Sequence, residues 1–237
     1  MELVASAASR VVEFLTPEPL SPWFLPGGPL YGWNEDVTLV SLCLLLLAVV
    51  DFALVRNFLV PKARWFALHA VANAVTAVAS FPDVAKVFMH PTTCMGGPSF
   101  TMWANSAAAA IHIYHCIAFK LSPQDIFHHA LFVVILCGLA VPYKQATGSG
   151  NNLGCFFLSG LPGGIDYVLL VLVRQGVLPS MTEKRWNATI NTWIRGPSMV
   201  VYPWTLYINW KLGSSATLPM WVTVVAGLLH FYNGQQY

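Results

Sequence analysis

Seven apolar blocks, each near the length of a membrane-crossing helix, occupy most of this chain and leave it few ways to fold. The first, VTLVSLCLLLLAVVDFALVRNFLV at 37–60, is followed by blocks at 64–83, 100–120, 124–143, 152–174, 187–211 and 216–233. A helix needs roughly 20 apolar residues to cross ~30 Å of hydrocarbon, whereas barrel strands are about half as long and alternate. These blocks are long and do not alternate. The expected fold class is therefore all-α, a polytopic transmembrane bundle of about seven helices. Clusters of Gly, Pro and charge, such as PTTCMGGP at 91–98 and KQATGSGNN at 144–152, separate the blocks. Composition agrees: 56% of the 237 residues are hydrophobic and 9% are charged, against about 25% charged in a soluble domain. So few charges cannot solvate a surface in water. A net charge of +2 with no basic patch argues against a nucleic-acid partner. Membrane lipids are the expected partners, and a homo-oligomer stays open.

Two regions divide the chain. Residues 1–36 begin MELVASAASRVVEFLTPEPLSPWFLPGG, where Arg10 and Glu13 interrupt the apolar stretch and prolines follow. That pattern lacks the basic start of a signal peptide and reads as a short amphipathic segment with a stiff, Pro-rich lead-in. Residues 37–237 form the membrane domain, without internal repeats. With the N-terminus outside, the inner loops hold Arg56, Lys62, Arg64, Lys120, Arg174, Lys184 and Arg185, and the outer ones hold Arg10, Lys86, Lys144 and Lys211. Positive charge favours the cytosolic side, so the expected orientation is N-terminus outside or lumenal and C-terminus cytosolic. Of the five cysteines, Cys94 and Cys155 fall on one side in this topology and are the pair that could form a disulfide. Asn187-Ala188-Thr189 is a glycosylation sequon that the same topology places on the cytosolic side.

Polar residues recur inside the blocks at helical spacing. The second carries His69, Asn73, Thr76, Ser80 and Asp83, and the sixth carries Asn187, Asn191, Arg195, Ser198, Tyr202, Thr205 and Asn209. The third has Asn105, His112 and His115, and the fourth opens with Asp125, His128 and His129. Steps of three and four place each set on one helix face. Charge facing lipid costs about 2.5–3.5 kcal/mol or more at mid-span, so these faces must meet each other or a wet cavity. The bland reading of Thr76, Ser80, Ser198 and Thr205 is interhelical hydrogen bonding alone. Arg195 and the histidines point instead to a cavity, with Asp166 in SGLPGGIDYVLL as a partner for Arg195 or an imidazole. Pro162-Gly163-Gly164 is expected to break or kink the fifth span.

Three kinds of chemistry compete for the histidines. A di-iron centre of the membrane hydroxylase type uses more histidines in denser boxes than the seven here, so no metal is assigned. A retinal protein needs a lysine in its seventh span, and 216–233 has none. Acid–base catalysis without metal fits better, because a neutral imidazole can take a proton from a hydroxyl or amine and return it to a leaving group. Asp125 lies four residues before His129 and is expected to orient one imidazole of the His128-His129 pair. His115 supports them, while Arg195, Asp166, His112, His69 and Tyr202 are the candidate substrate-binding residues.

Several of these features resemble the TLC-domain family, which includes the ceramide synthases, over about 64–233. Arg64 with His69 is similar to the family's first helix, His128-His129 to its catalytic paired histidines, and Ser159-Gly160-Leu161-Pro162 to its small polar segment with a proline. Where family members often have Tyr-Asp, this chain reads Tyr114-His115, and HHALFVV lacks the family's Thr. The resemblance implies a multi-pass protein of the endoplasmic reticulum or another endomembrane, acting in lipid metabolism or homeostasis. It also implies acyltransferase chemistry with acyl-CoA as co-substrate and no resident cofactor. A non-catalytic lipid-binding or regulatory protein, or a small transporter, is the alternative from another class.

Overall fold

A computed structural model describes residues 33–90, 101–211 and 219–235, and every long element among them is helical. The N-terminal segment of residues 1–32, the loop carrying Cys94 with its expected pairing to Cys155, and the side chain of Asn209 lie outside the described residues. Seven long helices follow one another: α1 (33–58), α2 (61–89), α3 (Trp103–Ala118), α4 (123–140), α5 (149–174), α6 (180–211) and α7 (Met220–Gln235). By length and composition, four of them, α1, α2, α4 and α5, are able to cross a membrane. As described, α3 and α7 have 16 residues each, ~24 Å at 1.5 Å per residue. The polar stripe of α6 dilutes its apolar content.

The distribution of side chains is the reverse of that in a soluble protein. Val78, Val134 and Trp193 are each more than 70% exposed, while Thr76, Ser80, Asp83 and Asp51 are fully buried. Water would expel the first group and welcome the second, and hydrocarbon does the opposite.

Helix α2 stands at the centre and packs against α3 on one side and α5 on the other. Two buried carboxylates bolt its ends. At one end Asp51, from α1, accepts hydrogen bonds from Arg64 Nε (2.7 Å), Arg56 Nε (3.1 Å) and Tyr114 Oη (2.7 Å), joining α1, α2 and α3. At the other, Asp83 accepts from Ser149 Oγ and Asn152 Nδ2, each at 2.6 Å, and Asn152 also donates to the Thr101 carbonyl. Close approach of α2 to α5 depends on Gly160, where an added Cβ would lie 3.1 Å from the Ala77 backbone.

Four of the long helices contain a π-helical turn: Asp51–Val55 in α1, Ala130–Cys137 in α4, Phe156–Gly160 in α5 and Asn191–Arg195 in α6. Such turns insert a residue into the helical register and recur at functional sites. In α5 the irregularity precedes the expected kink. Pro162 follows this turn directly, after Gly160 departs from helical geometry (ψ −83°), and the helix continues to Arg174.

Candidate functional site: a cavity with a histidine cluster

One cavity of about 410 Å3 opens between α2, α3, α4, α5, α6 and α7, within the range of small-molecule sites. His69, His112, His115, His128 and His129 all line it. Helical spacing explains the convergence. His112 and His115 are three apart on one face of α3, and the Asp51–Tyr114 bond fixes the rotation of that same turn. His112 lies 5.3 Å from His128 and 5.0 Å from His129 between ring centroids, and His115 lies 4.9 Å from His129. His69 on α2 closes the group, 5.8 Å from His115 and 6.3 Å from His112.

Hydrogen bonds assign most of the tautomers. Nδ1 of His112 lies 2.6 Å from the Ala108 carbonyl and Nδ1 of His69 lies 2.9 Å from the Trp65 carbonyl. A carbonyl can only accept, so both Nδ1 atoms carry protons, and both neutral rings have a bare Nε2. Nε2 of His112 lies 3.3 Å from Nε2 of His128. His128 therefore donates through Nε2–H and keeps its lone pair on Nδ1. His129 pairs through Nδ1 with the Cys116 thiol at 3.3 Å. His115 is almost fully buried, and neither of its nitrogens has a hydrogen-bond partner among the described residues.

Asp125 makes its hydrogen bonds at the start of α4 rather than to an imidazole. Its carboxylate accepts from the Ser122 N–H (2.8 Å) and Ser122 Oγ (2.7 Å), while its own N–H donates back to Ser122 Oγ. This reciprocal capping box starts α4. Oδ2 is thus committed to the helix start, and the residue also lines the cavity. The group that orients an imidazole is His112.

The remaining candidates occupy other parts of the wall. Asp166 accepts from Asn187 Nδ2 at 2.8 Å, Asn187 accepts from Asn191, and Asn191 accepts from Arg195 Nη1, a relay that links α5 to the π-helical turn of α6. Asn187, the sequon residue, is therefore engaged inside the protein. Arg195 is buried and faces the cavity. Tyr202 packs at a tilt against His230 with centroids 4.5 Å apart and occupies space left by Gly154. Tyr167 lies 4.7 Å from His69. Among the described residues no group of three or more His, Cys, Asp or Glu side chains is arranged to hold a metal ion.

Sequence reasoning missed Asp51, Cys116, His230 and Asn233. Asp51 had a signal, a lone acid deep in LLLLAVVDFALV, since an ionisable group inside a span needs a partner. Cys116 had none, because any thiol beside a histidine in sequence points to a different helix face. No protein-family model matches the chain, and comparison with curated proteins and with solved structures also finds no match.

Proposed function

We propose that this chain is a seven-span endomembrane protein of lipid metabolism or lipid homeostasis, whose cavity holds a lipid or acyl chain and whose histidines catalyse acyl transfer from acyl-CoA. The observation that carries this reading is the His112–His128 pair inside a cavity whose wall mixes apolar and polar side chains. A base needs a lone pair facing the reactant and a partner that fixes its tautomer. His128 has both. Its Nδ1 takes the proton from a hydroxyl or amine as that nucleophile bonds to the thioester carbonyl carbon. When the carbon–sulfur bond breaks, the imidazolium returns the proton to the departing thiolate. His112 holds the tautomer of His128 as the carboxylate does in a Ser–His–acid triad, here as a neutral hydrogen-bond acceptor. His115 and His129 complete the polar surface around the carbonyl, and Arg195 holds a phosphate or carboxylate head group. The resemblance to TLC domains through His128-His129 supports the same chemistry, as the loop charges support a cytosolic C-terminus.

Comparative lipidomics tests this on cells expressing the wild type or the His128→Ala/His129→Ala variant at equal amounts of folded protein. A lipid product present with the wild type and lost with the double variant is the expected result, and it names the substrate class. Lipid changes that survive the double substitution would overturn catalysis and leave a lipid-binding or regulatory protein.

A further inference from the structure

The wall of the cavity formed by α6 and α7 carries polar groups that the acyl-transfer chemistry does not use. His230 is 1% exposed and Asn233 4% exposed, and both line the cavity. They lie one turn apart on α7, so they share a face. The imidazole of His230 packs at a tilt against Tyr202 and lies beside the Ser198 backbone, yet neither ring nitrogen reaches hydrogen-bond geometry with a described residue. Oδ1 of Asn233 is likewise buried without a partner among the described residues. Buried polar atoms in folded proteins are nearly always paired, and in a membrane few alternatives exist. Two such side chains facing one cavity mark a place where a ligand supplies the missing partner.

We infer that His230 and Asn233 form a subsite for a neutral hydroxyl group of the lipid ligand. The chemistry follows from the atoms left over. A neutral imidazole has one donor and one acceptor, and an amide oxygen accepts only. A carboxylate or phosphate anion brings acceptors and no donor, so it leaves Asn233 Oδ1 unanswered. An ether or ester accepts and does not donate. A hydroxyl does both: its one hydrogen goes to Asn233 Oδ1 while its oxygen accepts from the imidazole N–H. Tyr202 closes the subsite with an aromatic face, held in place by its contact with Gly154. This inference rests on the proposed lipid cavity and adds to it a preference for ligands that carry a free hydroxyl.

The test uses the full chain in lipid nanodiscs and three photoreactive probes with the same long saturated chain, ending in a primary alcohol, its methyl ether or a carboxylic acid. Labelled residues are mapped by peptide mass spectrometry. The alcohol is expected to label α6 and α7 about tenfold more than the ether at equal concentration, the effect of roughly one net hydrogen bond. His230→Phe keeps a ring against Tyr202 but removes both nitrogens, and Asn233→Leu removes the amide. Each should bring the alcohol down to the level of the ether, whereas His230→Gln, which retains a donor and an acceptor, should keep most of the preference. Equal labelling by alcohol and ether in the wild type would overturn the subsite and leave the lipid cavity standing. So would a preference unchanged in both His230→Phe and Asn233→Leu. Strongest labelling by the carboxylic acid would replace the subsite with an anion site. Failure of all three probes to label any cavity residue would overturn the lipid cavity and the subsite together.

Discussion

Two imidazole nitrogens 3.3 Å apart, Nε2 of His112 and Nε2 of His128, determine where protons can sit in this cavity. The Ala108 carbonyl fixes the first ring, and the first ring fixes the second. His112→Phe retains a ring of similar size and removes the acceptor. It should lower the rate of product formation about a hundredfold, within the usual range for losing a well-placed base, with little change in thermal midpoint. Asp125→Ala should do the reverse. Loss of the cap costs about 1 kcal/mol of stability, while the folded fraction keeps its rate within about threefold. Parallel rate and melting measurements on the two variants check both statements, and a rate loss in Asp125→Ala matching that of His128→Ala would restore the acid as the orienting group. The sequence made Asp125 attractive because i and i+4 side chains meet on a helix. What it could not show is that Asp125 is the third residue of a helix whose cap is Ser122, where the nearest donors are those of the helix end. Nor could spacing along one helix predict the His112–His128 bond, which depends on how α3 and α4 are placed against each other.

Between α2 and α5 the packing is closest at Gly160 and Gly163. A Cβ on Gly160 would come within 3.1 Å of the Ala77 nitrogen and 3.2 Å of its Cα, and one on Gly163 within 2.7 Å of Asn73 Nδ2. The two cases differ in what must yield. Asn73 can rotate its amide, but the Ala77 backbone is part of the central helix and cannot move alone. Gly160→Ala should therefore cost about 1–3 kcal/mol as an overpacked contact, and because α2 carries His69 it should also disturb the cavity. Gly163→Ala should cost less. Thermal unfolding of the two variants in the same nanodiscs measures the difference, and equal midpoints would show that α2 and α5 separate freely. Much of this level was legible in advance, because polar steps of three and four put His69, Asn73, Thr76, Ser80 and Asp83 on one face of α2, and all five are buried. The π-helical turns were not legible. An inserted residue leaves no mark on apolar content, so the expected break at Pro162-Gly163-Gly164 appears instead as the wider turn Phe156–Gly160.

Across the whole molecule, contacts between distant parts of the chain sort the helix ends into two sets. Val60 N–H donates to Gln175 Oε1 at 3.3 Å, and Asp51 at the end of α1 pairs with Arg64 at the start of α2, so the 56–64 and 174–180 turns share one face. Lys144 pairs with Asp36 at 2.9 Å, and Asp83 holds Ser149, so residues 36, 83 and 144–149 gather at the other. The first face carries Arg56, Lys62, Arg64 and Arg174, and the proposed orientation makes it the cytosolic one. The histidine cluster lies nearer this face, since Arg64 and His69 are about one turn apart and the capped start of α4 leads directly into His128 and His129. Under the proposed acyl transfer and orientation, a thioester delivered from the cytosol would meet the cluster without crossing the bilayer. Single cysteines placed at Lys62 and Lys144, in a variant whose native cysteines are replaced by serine or alanine, report this directly. In sealed microsomes a membrane-impermeant maleimide should label the cysteine at 62 at once and the cysteine at 144 only after the membrane is opened with detergent. The reverse order would invert the protein in its membrane and place the histidines on the lumenal side, where a cytosolic thioester cannot reach them. Labelling of both before detergent would mean that the two faces are not separated by a bilayer, and the seven-span arrangement would fall with the orientation.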